Sequence, residues 1–358
     1  MKPGLRIDQL MAGFAEGDAI SHMALLLRDT FRRWGCQSDI FVDPRHTSPS
    51  SLTQVRPLNE YRATSADIAL HHYGLHAPAA DVFFASPARK ILIYHNITPP
   101  SFYTGFDDQL PPQLEAARQR LPKLARQTQA VWAVSRFNAG ELAAVGVPDV
   151  KVLPLPFVPH TMNLTPDFRG ANFLFNTPLK TWLSVGRIAP NKRIEDLIQA
   201  FAWYNRTLNP YSRLVIVGSP RSCPRYCNML KMLVGDLDMP NVCFEGFATP
   251  EGLIAYYRGA SVYVSTSAHE GYGLPLLEAM YHGLPVIARA TGGTPEALDG
   301  AGVLYEDLTH AELAALVGVV LDDPALRTEI LTSQQHRLKS VLDRPIDQEL
   351  RTLLAAFL

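Results

Sequence analysis

Short β-branched or apolar runs alternate with longer helical stretches along this chain, and they do so in two successive series. LRIDQLM, SDIFVD, DIALHHY, KILIYHN, AVWAVS and VKVLPL form the first; TWLSVGR, SRLVIVG, NVCFEGF, SVYVSTS, PVIARA and AGVLYE form the second. Between these runs lie segments such as RIEDLIQAFAWYNRTL, whose Ile194, Leu197, Ile198, Phe201 and Ala202 share one helical face. Strand and helix in regular alternation bury their strands in parallel sheets covered on both faces. The pattern therefore predicts two doubly wound α/β sheets. A length of 358 residues, beyond the ~250 to 300 at which a single core stops growing, agrees with two domains.

The stretch LPLPFVPHTMNLTPDFRGANFLFNTP, rich in proline and asparagine and lacking either period, places the junction near residues 154 to 178. We accordingly expect domains over residues 1–165 and 166–340. Residues 341–358, with DQELRTLLAAFL, form an amphipathic C-terminal helix for which the N-terminal domain is one docking surface. A net charge of -1 with 19% charged residues provides no global field for nucleic acid. The N-terminus has no secretory h-region, and apolar runs such as LAALVGVVL fall far short of a ~20-residue span, so the chain reads as cytoplasmic. Cys36, Cys223, Cys227 and Cys243 read as free thiols, because the lone C-x3-C lacks a second ligand pair at zinc spacing.

Ligands of open parallel sheets sit at the carboxyl ends of the strands. After KILIY come His95 and Asn96; after LSV come Gly186, Arg187 and Lys192; after SVYVSTS comes HEGYGLPLLEA. Pro275 suits the first turn of a helix, PLLEAMYHG, ended by Gly283, which leaves free backbone N–H groups over residues 273 to 277. An anion fits there, and Gly271 and Gly273 let it approach the backbone. Glu278, placed in the first turn, suits a ribose diol as well as the helix dipole, and Glu270 suits adjacent sugar hydroxyls. Arg187 and Lys192 add two cations for a diphosphate. Each residue alone also reads as an ordinary cap or surface charge. Together they describe a diphosphate with a diol on one side and a polyhydroxyl group on the other, a nucleotide-sugar.

GRIAPNK followed by HEGYGLPLLEAMYHGLPVIARATGGTPE resembles the C-terminal half of the retaining glycosyltransferases of family 4, closely over residues 180 to 306 and more loosely before them. GDAISHMALLLRDTFRRWG, YHNITPPSFY and SRFNAGEL resemble bacterial members that build polysaccharides or lipid-linked oligosaccharides, mannosyltransferases among them. The resemblance implies the GT-B fold, two Rossmann-like domains facing across a cleft. By it, Arg187 and Lys192 bind the donor diphosphate, and Glu270 holds sugar hydroxyls with the N–H groups of Gly271 and Tyr272. Gly273 and Leu274 meet the phosphates, Glu278 the ribose, and Gly186, Gly246 and Phe247 flank the nucleotide. His95 approaches the transferred sugar. After the first strand many relatives have a double glycine where this chain has Ala15, Glu16, Gly17 and Asp18, so Gly17 is left to meet the phosphate and Asp18 to face the acceptor.

The implied chemistry is transfer of a hexose, weakly favouring mannose from GDP-mannose, to a saccharide or polyprenyl-linked acceptor, with retention and without a metal or other cofactor. His71 and His72, at a strand end, read as acceptor-side or packed residues. Asp236-Leu237-Asp238 mimics a metal-binding D-x-D but lies where a loop is expected. Arg28, Arg32 and Arg33 with Arg118, Arg120, Lys123 and Arg126 read as surface charge or as a face for an anionic membrane. A nicotinamide-dependent dehydrogenase requires G-x-G-x-x-G, which does not occur. A nucleotide-sugar epimerase, or a binder without activity, keeps the same anion site.

Overall fold

A computed structural model describes residues 4–15, 17–47 and 49–358. Among them the chain divides into two units, one of residues 1–100, 109–156 and 345–358, the other of residues 101–108 and 157–344. The chain thus changes unit after residue 156 and returns at residue 345, rather than at 165 and 340.

The first unit holds a parallel sheet of β1 (Ile7–Met11), β2 (Ile40–Val42), β3 (Arg56–Pro57), β4 (Ile68–Tyr73), β5 (Arg89–Tyr94), β6 (Ala130–Ala133) and β7 (Lys151–Val152). Their order is β3-β2-β1-β4-β5-β6-β7. The second holds β8 (Lys180–Val185), β9 (Ser212–Val217), β10 (Val242–Gly246), β11 (Val262–Ser265), β12 (Val286–Arg289) and β13 (Val303–Tyr305), ordered β10-β9-β8-β11-β12-β13. Every expected run is a strand; β3, two residues long, is additional. The winding reverses between β1 and β4 in one sheet and between β8 and β11 in the other, the doubly wound arrangement.

β4 and β9 are buried along their whole length and β5 over its last four residues, as expected of parallel strands covered on both faces. In the second unit Trp182 is fully buried, with Phe201 edge-on at 5.6 Å and Tyr204 at 5.1 Å, both on the helix Ile194–Thr207. That helix is the one whose apolar face the sequence periodicity marks.

The C-terminal helix Ile346–Leu354 is part of the first unit. Leu350 and Leu354 are buried, Trp34 Nε1 donates to Asp347 at 2.6 Å, and the Arg351 guanidinium lies 4.4 Å over the Trp34 ring. Residues 101–108 group instead with the second unit. Phe106 meets Tyr226 edge-on at 5.2 Å and Arg225 pairs with Asp108 at 2.8 Å.

Asp8 is an acid inside β1, 3% exposed, with Asp39 N–H donating to it at 3.0 Å. Burial outweighs that bond and the nearby Arg6 charge, and its carboxyl rises from 3.8 to about 7. Folded protein then holds a proton that unfolded chain has released, so stability falls as pH climbs from about 4 to about 7. Asp8→Asn is expected to flatten that decline in urea unfolding measured across the interval. Parallel declines in both proteins would refute the assignment.

Candidate functional site

The loops after β8 and β11, which flank the reversal of winding in the second sheet, are sewn into one body. Asn191, 4% exposed, donates from Nδ2 to the His269 carbonyl at 3.0 Å, and its own carbonyl accepts from Ala268 N–H at 2.9 Å. Thr266 Oγ1 donates to the carbonyls of Lys192 and Arg193 at 3.1 and 2.9 Å. With the backbones so tied, Lys192 Nζ reaches Glu270 Oε1 at 2.5 Å, the two side chains only 20% and 16% exposed. The cation and the carboxylate singled out from sequence therefore form an ion pair.

A third loop presses on this body from β12. Gly293 N–H donates to the Glu270 carbonyl at 2.8 Å, and Thr291 Oγ1 donates to the Ser267 carbonyl at 2.6 Å. A Cβ on Gly292 would lie 2.2 Å from the Glu270 oxygen, and one on Gly293 would lie 2.3 Å from the Gly271 oxygen. Gly292 also has φ of 57°, in the left-handed region. These glycines shape the Glu270 loop, and the sequence reading gave them no role. Two consecutive glycines just past a strand end were the available signal.

Beyond Glu270 the chain turns at Gly273, with φ 104° and ψ 54°, into the helix Leu274–Tyr281. No side chain caps that N-terminus. Leu276 N–H already donates to the Gly273 carbonyl at 3.1 Å and Pro275 has no N–H, so Gly273 and Leu274 are the backbone donors that this turn can offer an anion. Glu278 is the fifth residue of the helix and not in its first turn, which corrects the dipole reading. It is half-buried; Tyr257 OH donates to its Oε2 at 2.7 Å, and desolvation raises the carboxyl pKa despite that bond. Tyr257 is itself held by stacking on His282, with centroids 5.4 Å apart. One carboxylate oxygen is thus fixed, and the other has no hydrogen bond among the described residues.

Arg187 is exposed and has no ion pair among the described residues. Gly186 before it is left-handed at φ 149°, and a Cβ there would stand 3.7 Å from Lys192 Cε. Phe247 follows Gly246, whose φ is 69°, and is 67% exposed. Tyr103, in the 101–108 segment of the same unit, is buried near the Arg187 charge. Arg187, Lys192, Glu270 and the Gly271-Tyr272-Gly273-Leu274 turn therefore belong to adjoining loops of one sheet edge, with Glu278 on the helix that follows the turn.

In the first unit His72 and His95 are brought together, His72 Nδ1 to His95 Nε2 at 2.8 Å. His71, next in sequence to His72, lies on the opposite face, with Nδ1 donating to the Leu10 carbonyl at 2.9 Å. Gly17 is exposed with φ 77° and open space around it; Glu16 lies outside the described residues. Asp18 is exposed. It caps the helix Ala19–Arg33, Oδ2 accepting from both the N–H and the hydroxyl of Ser21 at 2.9 Å. Asp236 ends the helix Pro224–Asp236 and Asp238 turns left-handed after it, so the D-x-D is a helix terminus. Among the described residues no cluster of three metal-ligating side chains occurs.

Gly292→Ala must displace a backbone carbonyl and adopt a conformation that costs an L-residue roughly 1–2 kcal/mol before any clash. We expect a loss of at least that size in urea unfolding, together with exposure of the Glu270 loop to protease. Unchanged stability and unchanged cleavage would show that the loop tolerates the methyl group.

The family described as glycosyl transferases, group 1, matches residues 170–337. The D-inositol 3-phosphate glycosyltransferase of Acidothermus cellulolyticus is 35% identical over 156 residues, 42% of this chain and 35% of that one. A GDP-mannose-dependent alpha-(1-6)-phosphatidylinositol monomannoside mannosyltransferase of Mycolicibacterium smegmatis is 28% identical over 239 residues, 62% and 61% of the two chains. This chain spans about a third of the length of the first curated relatives it matches. Among solved structures, the sucrose-phosphate synthase of Thermosynechococcus elongatus superposes with a TM-score of 0.75 at 20% identity, over 98% of this chain and 100% of that one. Anabaena HepE, solved with UDP and glucose, gives 0.69 at 19%, over 97% and 99%. By these likenesses residues 170–337 are similar to the group 1 glycosyl transferases, and the chain shares the two-domain α/β fold, GT-B, of the solved structures.

Proposed function

We propose that this chain transfers a hexose from a nucleoside-diphosphate sugar to a saccharide or lipid-linked saccharide, retaining the anomeric configuration and needing no metal. The observation that carries this reading is the charge layout at one sheet edge: an unpaired Arg187, the Lys192–Glu270 pair and an uncapped helix start, with Glu278 held by Tyr257. The cations and the helix start suit the departing diphosphate, and Glu270 suits the sugar hydroxyls. Lys192 passes from Glu270 to phosphate as donor arrives. A nucleoside diphosphate is already a good leaving group, so what it needs is preorganised positive charge rather than a strong acid. In same-face attack its own phosphate oxygen takes the proton of the acceptor hydroxyl, and no protein nucleophile is required. The relatives named for GDP-mannose and mannosyl transfer support GDP-mannose as the donor.

Among the described residues no helix is long and apolar enough to cross a membrane. Several cations of the proposed basic face are engaged locally: Arg32 with Asp39 at 2.7 Å, Arg28 with Asp29 at 2.9 Å, and Arg118 with the Ile97 carbonyl at 2.6 Å. That leaves peripheral attachment resting on Arg33, Arg120, Lys123 and Arg126, which have no ion pair among the described residues.

Thermal unfolding with GDP, UDP, ADP and NAD at matched concentration tests the donor site. A ligand at 100 times its dissociation constant adds about 2.7 kcal/mol. We expect one nucleoside diphosphate, GDP by this reading, to stabilise selectively, and Glu278→Ala and Tyr257→Phe to weaken that shift. Stabilisation by NAD alone, or by none of the four, would overturn the reading.

Arg187→Ala is expected to keep its fold and lose roughly 10²-fold in kcat, the scale of one lost preorganised stabiliser. Turnover is read with GDP-mannose and a mannoside acceptor, in EDTA, with the anomeric configuration of the product assigned by NMR. Near-normal turnover in the variant, loss of activity in EDTA, product formed without acceptor, or inverted product would each defeat a stated part of the mechanism.

A further inference from the structure

Behind His95 runs a chain of hydrogen bonds inside the first unit. Gln9, in β1, is fully buried and donates from Nε2 to the Ala24 carbonyl at 2.9 Å. That bond orients the amide, so its Oε1 is the atom 2.8 Å from His72 Nε2. An amide oxygen only accepts, and His72 Nε2 must therefore carry a proton. His72 lies 3% exposed, and burial together with the neighbouring His95 and His71 rings holds its pKa well below 6.5. It is neutral and has one N–H, already assigned, which leaves Nδ1 bare. Across 2.8 Å from that bare nitrogen is His95 Nε2, which must be the donor of their bond. The two rings stack with centroids 5.0 Å apart. Burial, with the His71 ring nearby, pulls His95 down to about 3, so it too is neutral and its Nδ1 is bare. That atom is buried and without a partner.

We infer that Gln9 and His72 are positioning residues that lock His95 in its Nε2–H tautomer, so that a ligand hydroxyl reaching His95 Nδ1 meets an acceptor. The step to a ligand rests on the transferase reading above; the tautomer does not. The reversed chain is excluded by the same geometry. A proton on His95 Nδ1 would leave its Nε2 bare, require His72 to donate from Nδ1, and set a bare His72 Nε2 against the Gln9 oxygen. Turning the amide over to relieve that clash would set its oxygen against the Ala24 carbonyl. His71 does not compete, since its Nδ1–H is spent on Leu10 and its ring packs 5.1 Å from Phe83 on the other face.

The tautomer is read in the free protein by 15N NMR of the imidazole rings, with assignment through His95→Gln and His72→Gln. We expect His95 to be a single neutral tautomer protonated at Nε2; an Nδ1–H form or a mixture would overturn the inference, whatever the enzyme transfers. Gln9→Met keeps the volume and removes the acceptor. It is expected to leave His72 and His95 in mixed tautomers and to lower kcat about tenfold, roughly the loss of one hydrogen bond. Stabilisation by the nucleoside diphosphate, bound in the other unit, should be unchanged. A retained Nε2–H tautomer in Gln9→Met, or unaltered kcat, would show that Gln9 does not set the acceptor. Should Gln9→Met fail to fold, the wild-type spectrum decides alone.

Discussion

A parallel sheet wound in both directions has one place where successive crossovers leave for opposite faces, and the second sheet of this chain has it between β8 and β11. The chain past β8 and the chain past β11 diverge there, which opens space at the carboxyl ends of the strands. Open loops alone would be mobile and carry unsatisfied backbone groups. Here they are closed on one another by Asn191 and Thr266, and buttressed from the next strand by Gly292 and Gly293. The third contact is backbone against backbone, closer than any side chain allows. Site geometry is thereby set by main-chain hydrogen bonding, and the charged side chains are carried on a rigid frame.

On that frame the charges have unequal surroundings. Lys192 and Glu270 are mostly withdrawn from water and satisfy one another, which limits the desolvation penalty that either would incur alone. Arg187 stays in solvent, where an unpaired cation costs little. On the function proposed above, an arriving ligand that is anionic at one end and rich in hydroxyls at the other would replace the internal pair in kind: phosphate oxygens for Lys192, hydroxyl donors for Glu270. A ligand with only one of these features would leave one buried charge uncompensated. Discrimination of this sort comes from the penalty on the wrong ligand as much as from attraction to the right one.

The features legible in the sequence are those that depend on local pattern. Apolar runs marked the strands, and Gly-Tyr-Gly-Leu-Pro marked a turn into a helix, because glycine and proline restrict the backbone in ways any fold must respect. β3 went unread because two residues carry no period, and Asp18 has a cap role that went unread because an acid before a helix serves equally as cap or ligand. Glu278 was set in the first turn by counting from Pro275, whereas the helix begins one residue earlier, at Leu274. The parts that sequence hid are partnerships between distant residues: Lys192 with Glu270, Gly292 with Glu270, Tyr257 with Glu278, and Gln9 with His72. Strand order brings these together, and no single-chain periodicity encodes it.

The histidine chain makes a physical choice that charge would not serve. An imidazolium at His95 would be expensive in so buried a place and would offer only N–H donors. Two neutral rings behind an oriented amide avoid that cost, and they carry direction as well, because each neutral imidazole that must accept on one nitrogen must donate on the other. The polarity fixed at Gln9, where the Ala24 carbonyl leaves the amide one orientation, is in this way passed through His72 to an atom of His95 that neither Gln9 nor Ala24 touches. Strand alternation explains why His72 and not His71 is the intermediate: only every second residue of β4 lies on the face that β1 and β5 share with His95.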